Sequence, residues 1–126
     1  MKGLMLKLFW WLPFGSVAEV TAEELARALN KRSRNKPQLL DVRTAPEYEQ
    51  SHIRNSVHLP IGALNGNIES LPFDKSKPVY AICKSAHRSI LAVRLLEMAG
   101  YEQACQLQGG MMAWERSGFP VARGQD

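Results

Sequence analysis

Paired cysteines are absent from this sequence. The two thiols, Cys83 and Cys105, stand 22 positions apart, which excludes a zinc framework of closely spaced cysteine pairs and a disulfide scaffold. Cys83 and His87 are four apart, but no second pair accompanies them, so neither a metal nor another cofactor is expected. A long apolar run is missing too. Crossing a bilayer as a helix takes about 20 apolar residues, and the most apolar stretch, Met1–Phe14, is shorter and interrupted by Lys2 and Lys7. Charge of one sign does not dominate: 16 Lys and Arg against 12 Asp and Glu leave a net +4. Much of the basic excess lies in Arg27, Lys31, Arg32, Arg34 and Lys36. It lacks interleaved aromatics and a glycine-rich recognition loop, so it reads as a solvated connector and not as a nucleic-acid surface. No internal repeat or low-complexity tract occurs. A chain of 126 residues suits one domain that buries a core without covalent staples.

What is present converges on Cys83-Lys84-Ser85-Ala86-His87-Arg88-Ser89. The apolar run Val79-Tyr80-Ala81-Ile82 leads straight into the cysteine, and an amphipathic pattern (Ile90, Leu91, Val93, Leu95, Leu96, Met98) opens behind it. A strand, a tight turn and a helix in that order deliver a nucleophile to a helix start, where unpaired N–H groups favour an anion. A thiolate is stabilised at such a place. Lys84, Arg88 and His87 add positive charge, so the loop also attracts an anionic substrate. Cys105 reads as a packed thiol in a strand.

Along the chain, Glu19 to Leu25 reads as a helix entry, with Thr21 the expected N-cap of a helix ending near Asn30 and Glu24 completing a capping box. Gln38–Val42 reads as a buried parallel strand, Pro46–Glu49 as the start of a short helix, and Ser56–Pro60 as a second strand. Ile61 to about Leu71 reads as partly helical. Pro78–Ile82 is the strand feeding the loop, Arg88–Ala99 the strongest helix, and Gly100 its stop. Gln103–Leu107 is the last strand. Gly109-Gly110 turns the chain into a helix from Met111 to about Arg116 with Trp114 on its buried face, and little is expected to hold the tail. This alternation implies an α/β domain around a mostly parallel sheet. The expected division is an apolar segment over 1–18, a domain over 19–121 and a tail over 122–126.

Four motifs in order resemble the single-domain rhodanese-like sulfurtransferase family. They are Leu40-Asp41-Val42-Arg43, the stretch Glu47-Tyr48 through His52-Ile53 to Ser56, the loop Cys83–Ser89, and Leu107-Gln108-Gly109-Gly110 followed by Ala113-Trp114. The resemblance covers about Val20 to Pro120. It implies a three-layer fold of about five mostly parallel strands with helices on both faces. It also implies a catalytic Cys83 that carries a persulfide, a substrate cradle over Lys84, Ser85, Ala86, His87, Arg88 and Ser89, and support of that cradle by Asp41 and Arg43. Three positions depart from the family's glycines: Ser51, Asn55 and Ala86. If the loop requires positive φ at Ala86, its Cβ costs about 1–2 kcal/mol. His52 and His58 read as structural.

The expected reaction moves a sulfane sulfur from thiosulfate or a related persulfide donor to a thiol or to cyanide. The acceptor would be a small molecule or a thioredoxin-like protein. A dual-specificity cysteine phosphatase is the nearest alternative, but its C-x5-R loop is one residue longer than the span from Cys83 to Arg88. A non-catalytic interaction module of the same fold is another, although such modules generally lose the cysteine. Met1–Phe14 has three readings. It is a signal peptide cut after Ala18, which would make the protein periplasmic, a peripheral membrane anchor on a cytoplasmic protein, or an arm packed on the domain or a partner.

Overall fold

Five short strands form a single parallel sheet: β1 (Glu19–Val20), β2 (Gln38–Asp41), β3 (Val57–His58), β4 (Val79–Ile82) and β5 (Ala104–Leu107), in the spatial order β1-β5-β4-β2-β3. The structure is a computed structural model, and it describes residues 17–31, 36–85 and 87–124. Parallel strands need crossovers, and helices supply them. They are α1 (Ala22–Asn30), α2 (Ala45–Gln50), α3 (Ile61–Asn67, continuing as a 3-10 turn over Ile68–Ser70), α4 (Arg88–Met98) and α5 (Gly110–Arg116).

The period-two alternation of strand side chains sorts the core into two layers. On one face Leu40, Val79 and Ala81 pack with Leu64 of α3 and with Ala92, Val93 and Leu96 of α4. On the other, Leu39, Ile82 and Leu107 meet Ala22 and Leu25 of α1 and Met111 and Trp114 of α5. With helices on both faces, the three-layer α/β arrangement implied by the sequence is the fold observed. β4 lies at the centre, which puts the residue following Ile82 deep in the molecule and not at an edge.

Local signals set the helix ends. Thr21 and Glu24 form the expected capping box on α1, and Thr44 with Glu47 forms another on α2. Gly100, at φ +100°, ends α4 and lets the Tyr101 amide return to the Leu96 carbonyl at 3.0 Å. Asn55 adopts φ +71°, the left-handed conformation that asparagine tolerates, whereas Ser51 is extended at φ −167° and needs no glycine.

Three expectations are corrected. Glu19–Val20 is a strand paired with β5, not part of the approach to α1. Val17 packs against the core and the Ala18 carbonyl accepts from the Gln106 amide, so the domain starts before residue 19. The tail is held as well: Ala122 exchanges two backbone hydrogen bonds with His52, and Gly124 donates to the Glu49 carbonyl. Met1–Ser16 lies outside the described residues. Among the described residues no helix is long and apolar enough to cross a membrane.

Candidate active site

The site is built where β4 ends. Cys83 follows Ile82 directly and is 1 % exposed, and its Sγ lies 3.4 Å from Oγ of Ser89 in the first turn of α4. α1 and α2 have side chains capping their first turns, but His87 makes no such bond at the start of α4. The thiol therefore faces a helix start whose N-cap side chain does not occupy the first-turn amides.

Two other segments clamp this loop. The first amides of α5 reach across to it, Met111 donating to the Cys83 carbonyl at 2.8 Å and Met112 to the Lys84 carbonyl at 3.0 Å. Such an approach excludes a side chain at Gly110. That residue sits at φ +58°, and a Cβ there would overlap the Cys83 carbonyl oxygen and the Lys84 backbone. Gly109-Gly110 is thus more than a turn; it lets α5 dock on the nucleophile's own peptide.

The second clamp comes from α2. Glu47, already in the capping box, accepts from both terminal nitrogens of Arg88 at 2.8 and 2.9 Å. The Arg88 bonds hold the Glu47 carboxyl down at about 2, against an opposing push from burial, and the same pairing raises Arg88. Arg88 was expected to present its charge to substrate. Instead, the structure engages it in a bidentate pair that ties the loop to α2.

Asp41 and Arg43 lie beside the loop, since β2 runs next to β4 with Asp41 opposite Ile82. Both side chains are buried. Arg43 Nη2 donates to Asp41 Oδ2 at 2.8 Å and to the Ser51 carbonyl at 2.6 Å, and Nε donates to the same carboxylate. A buried pair with its hydrogen bonds met in this way holds the end of β2 in one shape. His58 Nε2 donates to the Arg43 carbonyl at 2.7 Å, and Tyr48 is stacked between His58 and His52, with ring centroids 4.4 and 3.8 Å away.

Of the residues expected to form the cradle, Lys84, Ser85 and His87 are exposed around the cysteine. Ala86 lies outside the described residues. Ser89 does not face solvent. It is fully buried, and its hydroxyl points at Cys83 and donates to Gln106 Oε1 at 2.5 Å. Gln106 on β5 in turn donates from Nε2 to Glu19 Oε2 on β1 at 2.7 Å. Sequence reasoning missed Gln106 and Glu19, because no local pattern marks a polar residue that meets the site only through sheet pairing. A glutamine amid the apolar residues of β5 was the one available signal.

Cys105 takes no part. It pairs with Tyr80 in register, and Cys83 lies three residues further along β4. At ~3.3 Å per residue the two are about 10 Å apart along the strands, beyond the ~7 Å that a disulfide spans. Burial pushes the Cys105 thiol up to about 12.

A family model described as the Rhodanese-like domain matches residues 21–117. A protein named sulfurtransferase from Allochromatium vinosum is 31% identical over 105 residues, covering 83% of this chain and 94% of that protein. An adenylyltransferase and sulfurtransferase, uba4, from Ogataea parapolymorpha is 35% identical over 88 residues; the match covers 68% of this chain but only 22% of that longer protein. The crystal structure of a rhodanese-related protein from Thermoplasma volcanium superposes with a TM-score of 0.73 at 28% identity, covering 83% of this chain and 97% of that one.

Proposed function

The chain belongs to the rhodanese-like domain family, and from that premise we propose that it is a sulfurtransferase whose Cys83 carries the sulfur in transit. The observation that carries this reading is the position of Cys83, at the carboxyl end of the central strand and against the first turn of α4.

The Cys83 thiolate attacks the outer sulfur of thiosulfate. A Cys83 Sγ–S bond forms, the S–S bond of the donor breaks, and sulfite leaves with the electron pair. The loop amides between Lys84 and Ser89, with the first turn of α4, hold the negative charge of the terminal persulfide sulfur. Lys84 and His87 draw in the anionic donor. In the second step an acceptor thiolate, or cyanide, takes that outer sulfur and returns Cys83 as thiolate. Asp41–Arg43 and Glu47–Arg88 keep the loop in shape and do not touch the reacting atoms. Phosphoryl transfer is disfavoured by the same pairing, since Glu47 already occupies the fork of Arg88 that a phosphate would need.

The donor is a small sulfane-sulfur anion and the acceptor a small thiol or a thioredoxin-like protein; nucleic acid is not a partner. The protein works in the cytoplasm, with Met1–Phe14 retained and resting on a membrane surface or a partner. N-terminal sequencing of the native protein checks this, and a mature chain beginning at Glu19 would move it to the periplasm. Mass spectrometry tests the central proposal. Thiosulfate or glutathione persulfide should leave the intact protein one sulfur atom heavier, and cyanide should remove that sulfur as thiocyanate. Turnover of an aryl phosphate with no adduct from any sulfane donor would overturn it.

A further inference from the structure

A cavity of about 430 Å³ opens on the sheet face covered by α1 and α5. Lys36, just ahead of β2, lines it, so it lies at the opposite end of that strand from Asp41 and the cysteine loop. Its volume falls within the ~300–1,000 Å³ of small-molecule sites. We propose that this cavity is a second binding site, one that takes a small aromatic carboxylate. It shares no lining residue with Cys83–Ser89, so the proposal stands or falls independently of sulfur transfer.

The floor and the mouth make different demands. Leu39, Ile53 and Trp114 are buried in the floor, and Phe119 packs against that cluster. The Trp114 and Phe119 rings lie 4.9 Å apart between centroids, tilted by 47°. The indole N–H of Trp114 already donates to the Pro120 carbonyl at 2.9 Å. The floor therefore accepts an apolar body, and a flat ring suits it because aromatic groups pack well offset or edge to face. Polar recognition has to come from the mouth. Lys36 and Arg54 stand there, both exposed, and neither forms an ion pair among the described residues. Long basic side chains lay their methylene stems along apolar surface and keep the charge at the water. No Asp or Glu lines the cavity to offset those two charges. A ligand with a ring at one end and a carboxylate at the other meets both demands at once.

The chain's own apolar segment is a poorer occupant. Met1–Ser16 contains Lys2 and Lys7 and no acidic residue, so its charge has the wrong sign. It also leads into β1, three strands away from β2 in the sheet.

Titration of the 15N-labelled full-length chain with 3-phenylpropionate, followed by NMR, tests the proposal. Its uncharged partner, 3-phenylpropionamide, has the same ring and nearly the same shape. The carboxylate should give saturable shifts at Ile53, Phe119 and the Trp114 indole, and the amide should bind about tenfold more weakly. Lys36→Ala and Arg54→Ala should each weaken the carboxylate about two- to fivefold. Both side chains are exposed, so neither change threatens the fold. Lys36→Glu combined with Arg54→Glu should abolish carboxylate binding and leave the amide unaffected. Added salt should likewise weaken only the carboxylate. Equal affinity for acid and amide would reduce the cavity to an apolar dent and overturn the proposal. So would the absence of saturable shifts, or shifts confined to Cys83–Ser89, which would place the anion at the catalytic loop. A change in sedimentation on adding the probe would identify a second copy of the chain as the occupant and would overturn it too.

Discussion

Cys83 and Cys105 belong to neighbouring strands of one sheet and differ in almost everything that decides reactivity. Cys105 sits within β5, half-buried against Tyr80, and burial alone pushes its thiol up to about 12. Cys83 is more deeply buried, yet it lies past the last residue of β4, with a helix start, a hydroxyl and a set of cationic residues around it. Depth therefore does not separate them. What separates them is position along the strand: the middle of a strand offers a thiol only neighbouring side chains, whereas its carboxyl end offers loop amides and the first turn of the next helix.

The largest effect should come from exchanging the two sulfurs for oxygen. Cys83→Ser should lower sulfur loading by at least about a thousandfold with the fold intact, since the hydroxyl stays protonated and is a poor nucleophile. Cys105→Ser should change loading less than about twofold. Equal losses in the two variants would erase the contrast.

A smaller effect concerns what holds the loop at Cys83 in place. The Glu47 carboxyl is held at about 2 against an ordinary 4.5, so its ionised form stabilises the fold. The contribution is complete above about pH 4.5 and is lost as pH falls through about 2. Because the pair is partly open to solvent, we expect about 1 kcal/mol from it. Thermal unfolding followed from pH 7 to pH 2 should show Glu47→Gln less stable at the upper end and less sensitive between those two values. An unchanged profile would mean that the Arg88 pair contributes nothing to anchoring the loop.

The smallest expected effect is electrostatic. Lys84→Ala should raise the KM for thiosulfate about two- to fivefold, and added salt should do the same to the parent protein. An uncharged sulfane donor should respond less to both. Identical responses would assign Lys84 to loop shape instead of donor capture.

Much of this was legible in the sequence where the signal was local. Capping boxes at Thr21–Glu24, the stop at Gly100 and the strand feeding Cys83 each rest on residues within a few positions of one another, and the structure has them. The order of four motifs was enough for the family. What stayed hidden was non-local. β1 is two residues long and exists only because β5 lies beside it. The tail is held by His52, some 70 positions earlier. Arg88 looked like a substrate cation because its partner, Glu47, comes from another helix. Ser89 was placed in the cradle by the family resemblance, which carries the order of residues and not the direction of a side chain; the helical turn takes its side chain into the core.

The docking of α5 on the loop has a consequence in time. During synthesis the ribosome adds about 5–20 residues per second, so Cys83 emerges seconds before Gly110 and the amides behind it. Until then the Cys83 and Lys84 carbonyls lack the partners that shape their peptide, and β4 lacks β5 on its open side. In a nascent or truncated chain the Cys83 peptide thus lacks these contacts, and the loop shape around its thiol is one that only the complete domain acquires.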